Sequence, residues 1–378
     1  LWTAGNLYFE NLLTSVSLAG RAADVTVIEP SGGAYALGIH EAPKVRIADF
    51  APQSEPTSRL GVLARLLKRQ LAIPDRAIAR AVRESDIEVA FGEVDLRTRF
   101  AVPWVGWIPD FQHVHYPEFF SAEELAARND IYTRLADRAS LVLLSSEDAY
   151  ADFATFSPAN ARKGRVAPFV SLFPDEFFAP EPMAVVSKYR IEQPFVVVPN
   201  QWWRHKNHEV ALRAAALMRD AGSDTRWVFT GALADYRNDK HISALLQLIS
   251  ELGLRDRVII LGALPRSEQV QLMRAADCIV QPSLFEGWST VVEDAKSLGQ
   301  RIVVSDIGVH REQRPPASLY FDPASPEDLA EKLTGMLGGE IARPSESAAR
   351  AASVVRAKEF GERFVAICEE AVRGSRHD

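Results

Sequence analysis

Two stretches of this 378-residue sequence carry residue types suited to anion and hydroxyl chemistry. The first, residues 199–209, reads Pro-Asn-Gln-Trp-Trp-Arg-His-Lys-Asn-His-Glu and lies between an apolar run and a helix-like stretch. Arg204 and Lys206 are fixed cations, Gln201 supplies an amide, and a helix N-terminus adds unpaired N–H groups, so the loop suits a diphosphate. A solvated loop with Asn207 as helix N-cap is the plain alternative. Trp202 and Trp203 favour the functional reading, because large rings in a polar loop line a cleft or a contact.

The second stretch, residues 282–294, reads Pro-Ser-Leu-Phe-Glu-Gly-Trp-Ser-Thr-Val-Val-Glu-Asp and has the same apolar-run, loop, helix order. Gly287 lets backbone approach a ligand, and N–H groups around Trp288, Ser289, Thr290 and Val291 point at an anion above the helix. A carboxylate facing a diphosphate would repel it, so Glu286 suits a neutral polyol. Thr290 and Glu293 have capping-box spacing, the preferred role for Glu293. Asp294 lies about 100° further round the helix and faces a different neighbour. A third stretch, residues 107–121, contains Asp110, His113 and His115. The two histidines either touch ligand or alternate along a loop edge. No third metal ligand accompanies them, so metal binding is not expected.

The elements that must position these loops are short apolar runs, mostly without alternation, as strands buried on both faces should be. In the first half they fall at residues 24–28, Lys44–Ile47, 87–91, 104–108, 141–145 and 165–169. In the second they fall at Phe195–Val198, 227–230, 258–261, Cys278–Gln281, Ile302–Ser305 and 319–321. Helix-like or loop stretches separate them, which predicts two α/β domains, 1–185 and 186–378. Residues 173–194 contain Pro174, Pro180, Pro182 and Pro194 and read as the linker. Residues 345–373 predict a long helix that packs on either domain, a return to the first being one expectation. Position 1 is Leu, and a helix-like stretch follows almost at once, so a further strand is expected before it. Such sheets bind ligands at the carboxyl ends of their strands, on facing edges of a cleft.

Composition sets the outer bounds. Hydrophobic residues at 47% and charged residues at 25% give the globular balance and exclude disordered or collagenous chains. The 50 acidic against 43 basic residues, net −7, do not favour nucleic acid. Cys278 and Cys368 lack zinc-ligand spacing and are too few for a disulfide framework, which fits a reducing cytoplasm. No apolar run is long enough to cross a bilayer. Between Arg59 and Arg83, Arg65, Lys68, Arg69, Arg76 and Arg80 join the two end residues against Asp75 alone. That stretch reads either as a solvated helix face or as a peripheral contact with anionic lipid or a phosphorylated acceptor.

The two loops, set in the second α/β half, resemble the retaining glycosyltransferases of family 4, which have the GT-B fold of two Rossmann-like domains facing across a cleft. That family's signature is a Glu, seven intervening residues and a second Glu; the matching positions are Glu286 and Asp294. The wider run through Leu261-Gly262, Arg274-Ala275-Ala276-Asp277, Gln281-Pro282-Ser283 and Ser305-Asp306 is similar to the same family. The resemblance covers residues 195–335 strongly and the first half more weakly. It implies an acceptor-binding first domain and a second that binds a nucleotide diphosphate sugar. Lys206 would contact the donor diphosphate, Glu286 the sugar hydroxyls and Asp294 the ribose, with Gly287, Trp288, Ser289 and Thr290 adding backbone donors. The family usually has an Arg five residues before that Lys, where this chain has Gln201; Arg204 would supply the charge from another angle. Asp294 is a carbon shorter than the usual Glu. Pro109 stands where the family often has a His before Asp110, with His113 as the replacement. Gly5 falls where the family's N-terminal Gly-rich loop approaches the phosphates.

The function implied is retaining transfer of a sugar to a saccharide or lipid-linked acceptor hydroxyl in glycoconjugate synthesis. No cofactor or metal is expected, since cations and a helix N-terminus can stabilise the departing diphosphate. The sequence also lacks the Asp-any-Asp triplet by which the other large glycosyltransferase fold holds metal. A sugar-nucleotide epimerase of the same fold and a non-catalytic two-domain binding protein are the alternatives. A dehydrogenase is disfavoured because no Gly-any-Gly-any-any-Gly run follows a strand.

Overall fold

The computed structural model describes residues 3–20, 25, 27–30, 44–47, 82, 84, 86–92, 101–235 and 237–375. The basic residues between Arg59 and Arg83 lie outside this set. The chain divides into two units. Residues 1–111, 122–169 and 357–378 form the first, and residues 112–121 and 170–356 form the second.

In the first unit, strands β1 (Val27–Pro30) and β2 (Lys44–Ile47) pair in parallel. A second parallel sheet has the order β3 (Ala90–Phe91), β4 (Trp104–Trp107), β5 (Leu141–Leu144) and β6 (Gly164–Val166). Helix α1 (Thr3–Leu18) lays Tyr8 on Trp107, rings stacked at 4.1 Å. Helix α2 (Gln112–His115) belongs to the second unit. Helices α3 (Ala122–Arg138) and α4 (Glu147–Phe156) return to the first, where Leu135 and Phe153 join Ile108, Phe111 and Leu144 in one core.

The second unit has six parallel strands: β7 (Phe195–Val198), β8 (Arg226–Thr230), β9 (Val258–Gly262), β10 (Cys278–Gln281), β11 (Ile302–Ser305) and β12 (Ser318–Phe321). Their order across the sheet is β9-β8-β7-β10-β11-β12, so the chain winds outward in one direction and then restarts beside β7 in the other. Successive strand residues face opposite sides. Val196, Val198, Trp227, Phe229 and Val280 pack on α6 (His208–Asp220), α7 (Asp239–Glu251) and α11 (Pro326–Leu337). Phe195, Val197, Val228, Ile279 and Val304 pack on α5 (Pro182–Lys188), α8 (Arg266–Ala275) and α9 (Thr290–Leu298). The short α10 (Gly308–Gln313) follows β11. Both faces are covered, which is why these strands read as unbroken apolar runs.

The division differs from one at residue 185. Residues 173–194 are not a bare linker: Phe173, Phe177 and Phe178 pack on the second unit's core, and Val185 and Val186 enter it. Pro182 sits in the first turn of α5, where its fixed φ and missing N–H suit a helix start. The last helix, α12 (Glu346–Ser375), belongs to the second unit up to Arg356 and to the first from Ala357. Within the first unit Gly361 lets it approach α1, since a Cβ there would lie 1.9 Å from the Ser15 carbonyl oxygen. Cys278 and Cys368 are free thiols, and burial pushes both up to about 12. Among the described residues no helix is long and apolar enough to cross a membrane.

Candidate functional site

The site lies in the second unit, at the carboxyl ends of β7 and β10, where the strand order reverses. The loop after β7 ends in a single 3-10 turn, Arg204–Lys206, and the next residue, Asn207, takes the left-handed conformation with φ 53°. Asn207 occupies the N-cap position of α6 without making a side-chain cap bond. Its amide donates instead to the carbonyls of Pro282 (3.1 Å) and Pro323 (2.9 Å), tying the loop to its neighbours. The His205 carbonyl accepts from the Leu284 N–H at 2.8 Å. These bonds hold the two loops together.

Lys206 Nζ lies 2.6 Å from Glu286 Oε1, with 16% and 9% of the side chains exposed. The Gln281 amide donates to the same Oε1 at 2.8 Å and accepts from Asn200 Nδ2 at 2.8 Å. Both bonds fall on Oε1. Lys206 and Glu286 are therefore brought together, one cation and one acid at a buried edge.

Asp294 is 1% exposed and pairs with Arg266 at 2.6 Å, a partner that spacing did not indicate. Glu293 does not form a capping box. Ser289 is the N-cap of α9, and the Glu293 carboxylate takes Lys296 (2.8 Å), Arg356 (3.0 Å) and Gln313 (3.2 Å) instead. Gln313 also clamps the Ser289 backbone, accepting its N–H at 3.2 Å and donating to its carbonyl at 3.0 Å. Of the expected backbone donors, that of Ser289 is thus already engaged. Gly287, Trp288 and Thr290 are half-buried in the same turn.

The tryptophans separate. Trp202 is fully buried in the core, stacked on His208 at 4.8 Å, so it does not line a cleft. Trp203 is half-buried. Gln201 is half-buried on the loop after β7. Arg204 does not join the Lys206 and Glu286 pair; its guanidinium lies over the Phe119 ring, 4.6 Å from the centre. His113 is 2% exposed with its ring 6.4 Å from that of Phe120. His115 is exposed, 5.1 Å from Phe285, and the Tyr116 hydroxyl donates to the Leu284 carbonyl at 3.3 Å. The segment holding these residues thus packs on the Glu286 loop, although its neighbours in sequence belong to the first unit. Asp110 and Gly5 are in the first unit, and Gly5 lies in the first turn of α1 rather than in a loop.

Three buried histidines surround the site. Burial, reinforced by Lys206, Arg237 and His208, holds His205 well below the usual imidazole range. Burial lowers His208 to about 3. His310 is lowered by burial against the opposing pull of Glu286, and its Nδ1 lies 2.8 Å from the Ser305 carbonyl oxygen. All three are neutral at pH 7, so the fixed cations carry the site's positive charge. Among the described residues, no group of three or more His, Cys, Asp or Glu is arranged to hold a metal ion.

Residues 186–353 match the sequence model of the family Glycosyl transferases group 1. A D-inositol 3-phosphate glycosyltransferase of Nocardia farcinica is 34% identical over 105 residues, covering 27% of this chain and 23% of the relative. One from Corynebacterium diphtheriae is 26% identical over 195 residues, covering 49% and 44%. The chain spans less than half the length of these curated relatives. Among solved structures, Anabaena HepE in complex with UDP and glucose has a TM-score of 0.63 at 19% identity, covering 98% of this chain and 96% of that one. Sucrose-phosphate synthase of Thermosynechococcus elongatus has a TM-score of 0.65 at 17% identity, covering 99% and 93%. The chain therefore has the GT-B fold, and its second α/β unit carries the match to the group 1 glycosyl transferases.

Proposed function

We propose that the protein is a retaining, metal-independent glycosyltransferase that moves a sugar from a nucleotide diphosphate sugar to an acceptor hydroxyl in glycoconjugate synthesis. The observation that carries this reading is the Lys206 and Glu286 pair at the switch point of the six-stranded sheet. In the free protein each neutralises the other. A donor diphosphate competes for Lys206, and Glu286, still held by Gln281, then accepts from a sugar hydroxyl through its second oxygen. Asp294, fixed by Arg266, is assigned to the ribose.

The chemical demand is to stabilise charge growing on the departing diphosphate, a task assigned to Lys206, once the donor has drawn it from Glu286, and to the N-terminus of α9. The bond from the anomeric carbon to the diphosphate oxygen breaks as the acceptor oxygen bonds to the same face. The acceptor proton passes to an oxygen of the leaving diphosphate. His113 is assigned to the sugar or acceptor side, where Tyr116 fixes its segment against Leu284.

Thermal unfolding with UDP, GDP and ADP and their common sugars tests the reading, UDP first because of the ligand in the HepE structure. A ligand at a hundred times its Kd stabilises by about 2.7 kcal/mol. A clear upward shift with one nucleotide, and release of that nucleoside diphosphate from its sugar with acceptor, is expected. No shift with any of them at millimolar concentration would remove the donor site.

A further inference from the structure

Beside the Lys206 and Glu286 pair, the same edge of the six-stranded sheet holds a cavity of about 240 Å³. Its walls are the turn at Arg204 and His205, the loop after β8 and residues 118–121. Lys206 does not line it. Two guanidiniums do, each with its central carbon over an aromatic ring: Arg204 over Phe119 at 4.6 Å and Arg237 over Phe120 at 4.4 Å and Trp203 at 5.2 Å, while one Arg237 N–H donates to Gln112 Oε1 at 3.2 Å. A guanidinium carries five N–H donors in a planar fork, which oxyanions take in pairs.

The cavity's acids are otherwise occupied or at its rim. Asp235, 7% exposed, accepts the backbone N–H of Arg204 (3.2 Å) and of Arg237 (3.1 Å), so it fixes the two positions that carry the cations. Glu118 is exposed. Asn238 brings an amide as a further donor, and a cavity with two guanidiniums and an amide suits an acceptor-rich ligand. At about 30 Å³ per water the volume holds roughly eight, more than a bare ion needs and enough for one sugar ring.

We infer that this cavity is a second, anion-selective subsite that takes the phosphate or carboxylate of a sugar-sized acceptor. The inference rests on the reading of Lys206 and Glu286 as the donor site, and it assigns Arg204 to the acceptor rather than to the donor diphosphate.

The test titrates inorganic phosphate, glucose 6-phosphate, glucuronate and glucose into the full chain saturated with UDP, followed by calorimetry and by tryptophan fluorescence. At least one anion is expected to bind with UDP in place, ten-fold or more tighter than glucose; the phosphate and glucuronate arms tell which oxyanion is preferred. Arg237→Gln is expected to weaken that anion at least ten-fold and leave UDP affinity within two-fold. Asn238→Asp keeps the cap bond to the Lys240 N–H while placing a carboxylate at the cavity, so it gives the same loss in a protein that folds. Displacement of the anion by UDP, glucose binding as well as the anions, or anion affinity within two-fold of wild type in both variants would overturn the inference. If UDP itself does not bind, the donor reading falls, and the titrations are run without it. Anion binding that survives Lys206→Ala and is lost in Arg237→Gln then supports the subsite, and the reverse pattern overturns it.

Discussion

Replacing Lys206 by alanine separates what the lysine does for the fold from what it does for the reaction. Its ammonium lies 2.6 Å from a carboxylate that is 9% exposed. Removing one partner of a buried ion pair costs about 3–5 kcal/mol because the other charge is left without compensation. Gln281 still donates to Glu286 at 2.8 Å, and both side chains keep some exposure, so the lower end, about 3 kcal/mol, applies here. The reaction loses something else. A donor aimed at charge that develops in the transition state is worth about 2.7–4 kcal/mol, so turnover should fall by about two to three powers of ten.

A double variant distinguishes the two losses. With Glu286→Gln added to Lys206→Ala, the stranded charge is gone and the denaturation midpoint should recover most of its fall. Turnover should not recover, since neither the cation nor the acid proposed to hold the sugar returns. The assays are urea unfolding and initial rates of nucleoside diphosphate release with a saturating donor. Lys206→Ala turning over within ten-fold of wild type would refute the assignment. Turnover that returned with stability in the double variant would do so equally, because Lys206 would then serve only to hold Glu286.

Gly231 has φ +98°, and a Cβ there would lie 2.2 Å from the Asn200 carbonyl oxygen, so Gly231→Ala must push the loop before Lys206 aside. Overpacking of this kind costs about 1–3 kcal/mol, and donor affinity measured by calorimetry should fall with it. At Asn207, glycine keeps the left-handed backbone and loses only the amide's two bonds, whereas alanine loses both advantages. Urea midpoints should therefore rank wild type above Asn207→Gly above Asn207→Ala. His208 is lowered to about 3 by burial, so the unfolded chain binds its proton first as pH falls. The stability it contributes is complete above its unfolded value near 6.5 and is lost from there down towards 3, at about 1.4 kcal/mol per pH unit. His208→Phe, which preserves the stack on Trp202, should flatten the urea midpoint against pH between 6 and 4 by about that slope. Gly361→Ala in the first unit should separate α12 from α1 and lower the melting temperature by several degrees, with UDP affinity unchanged.

The central strands β7, β10 and β11 are legible because they are buried on both faces. Phe195–Val198 is an unbroken run of aromatic and β-branched residues, as are Ile302, Val303 and Val304, and the sheet and its helices bury all of them. Composition misleads where one residue type serves two purposes. The prolines of residues 173–194 suggested a break, yet Pro182 starts a helix whose Val185 and Val186 are core. Adjacent Trp202 and Trp203 gave one signal between them, but neighbours in an irregular loop point in different directions, and only Trp203 reaches the surface.

At the site, the sequence names the groups and the tertiary structure decides which of them remain available. Lys206 and Glu286 are 80 residues apart, so their types are visible in the chain and their contact is not. Thr290 and Glu293 have the spacing of a cap, but Arg356, 63 residues further on, lies within 3.0 Å of Glu293 and outcompetes a local amide for the carboxylate. Gln313 then takes the Ser289 N–H that an anion would otherwise have used. A motif therefore sets an upper limit on the donors a ligand can find, and the packing around it sets how many are left. In this chain Lys206 pairs with Glu286, while Arg204, two residues before it, lies over Phe119 and lines a separate cavity. The motif alone cannot distinguish those two cations, because what separates them is a ring contributed by a segment 85 residues earlier in the sequence.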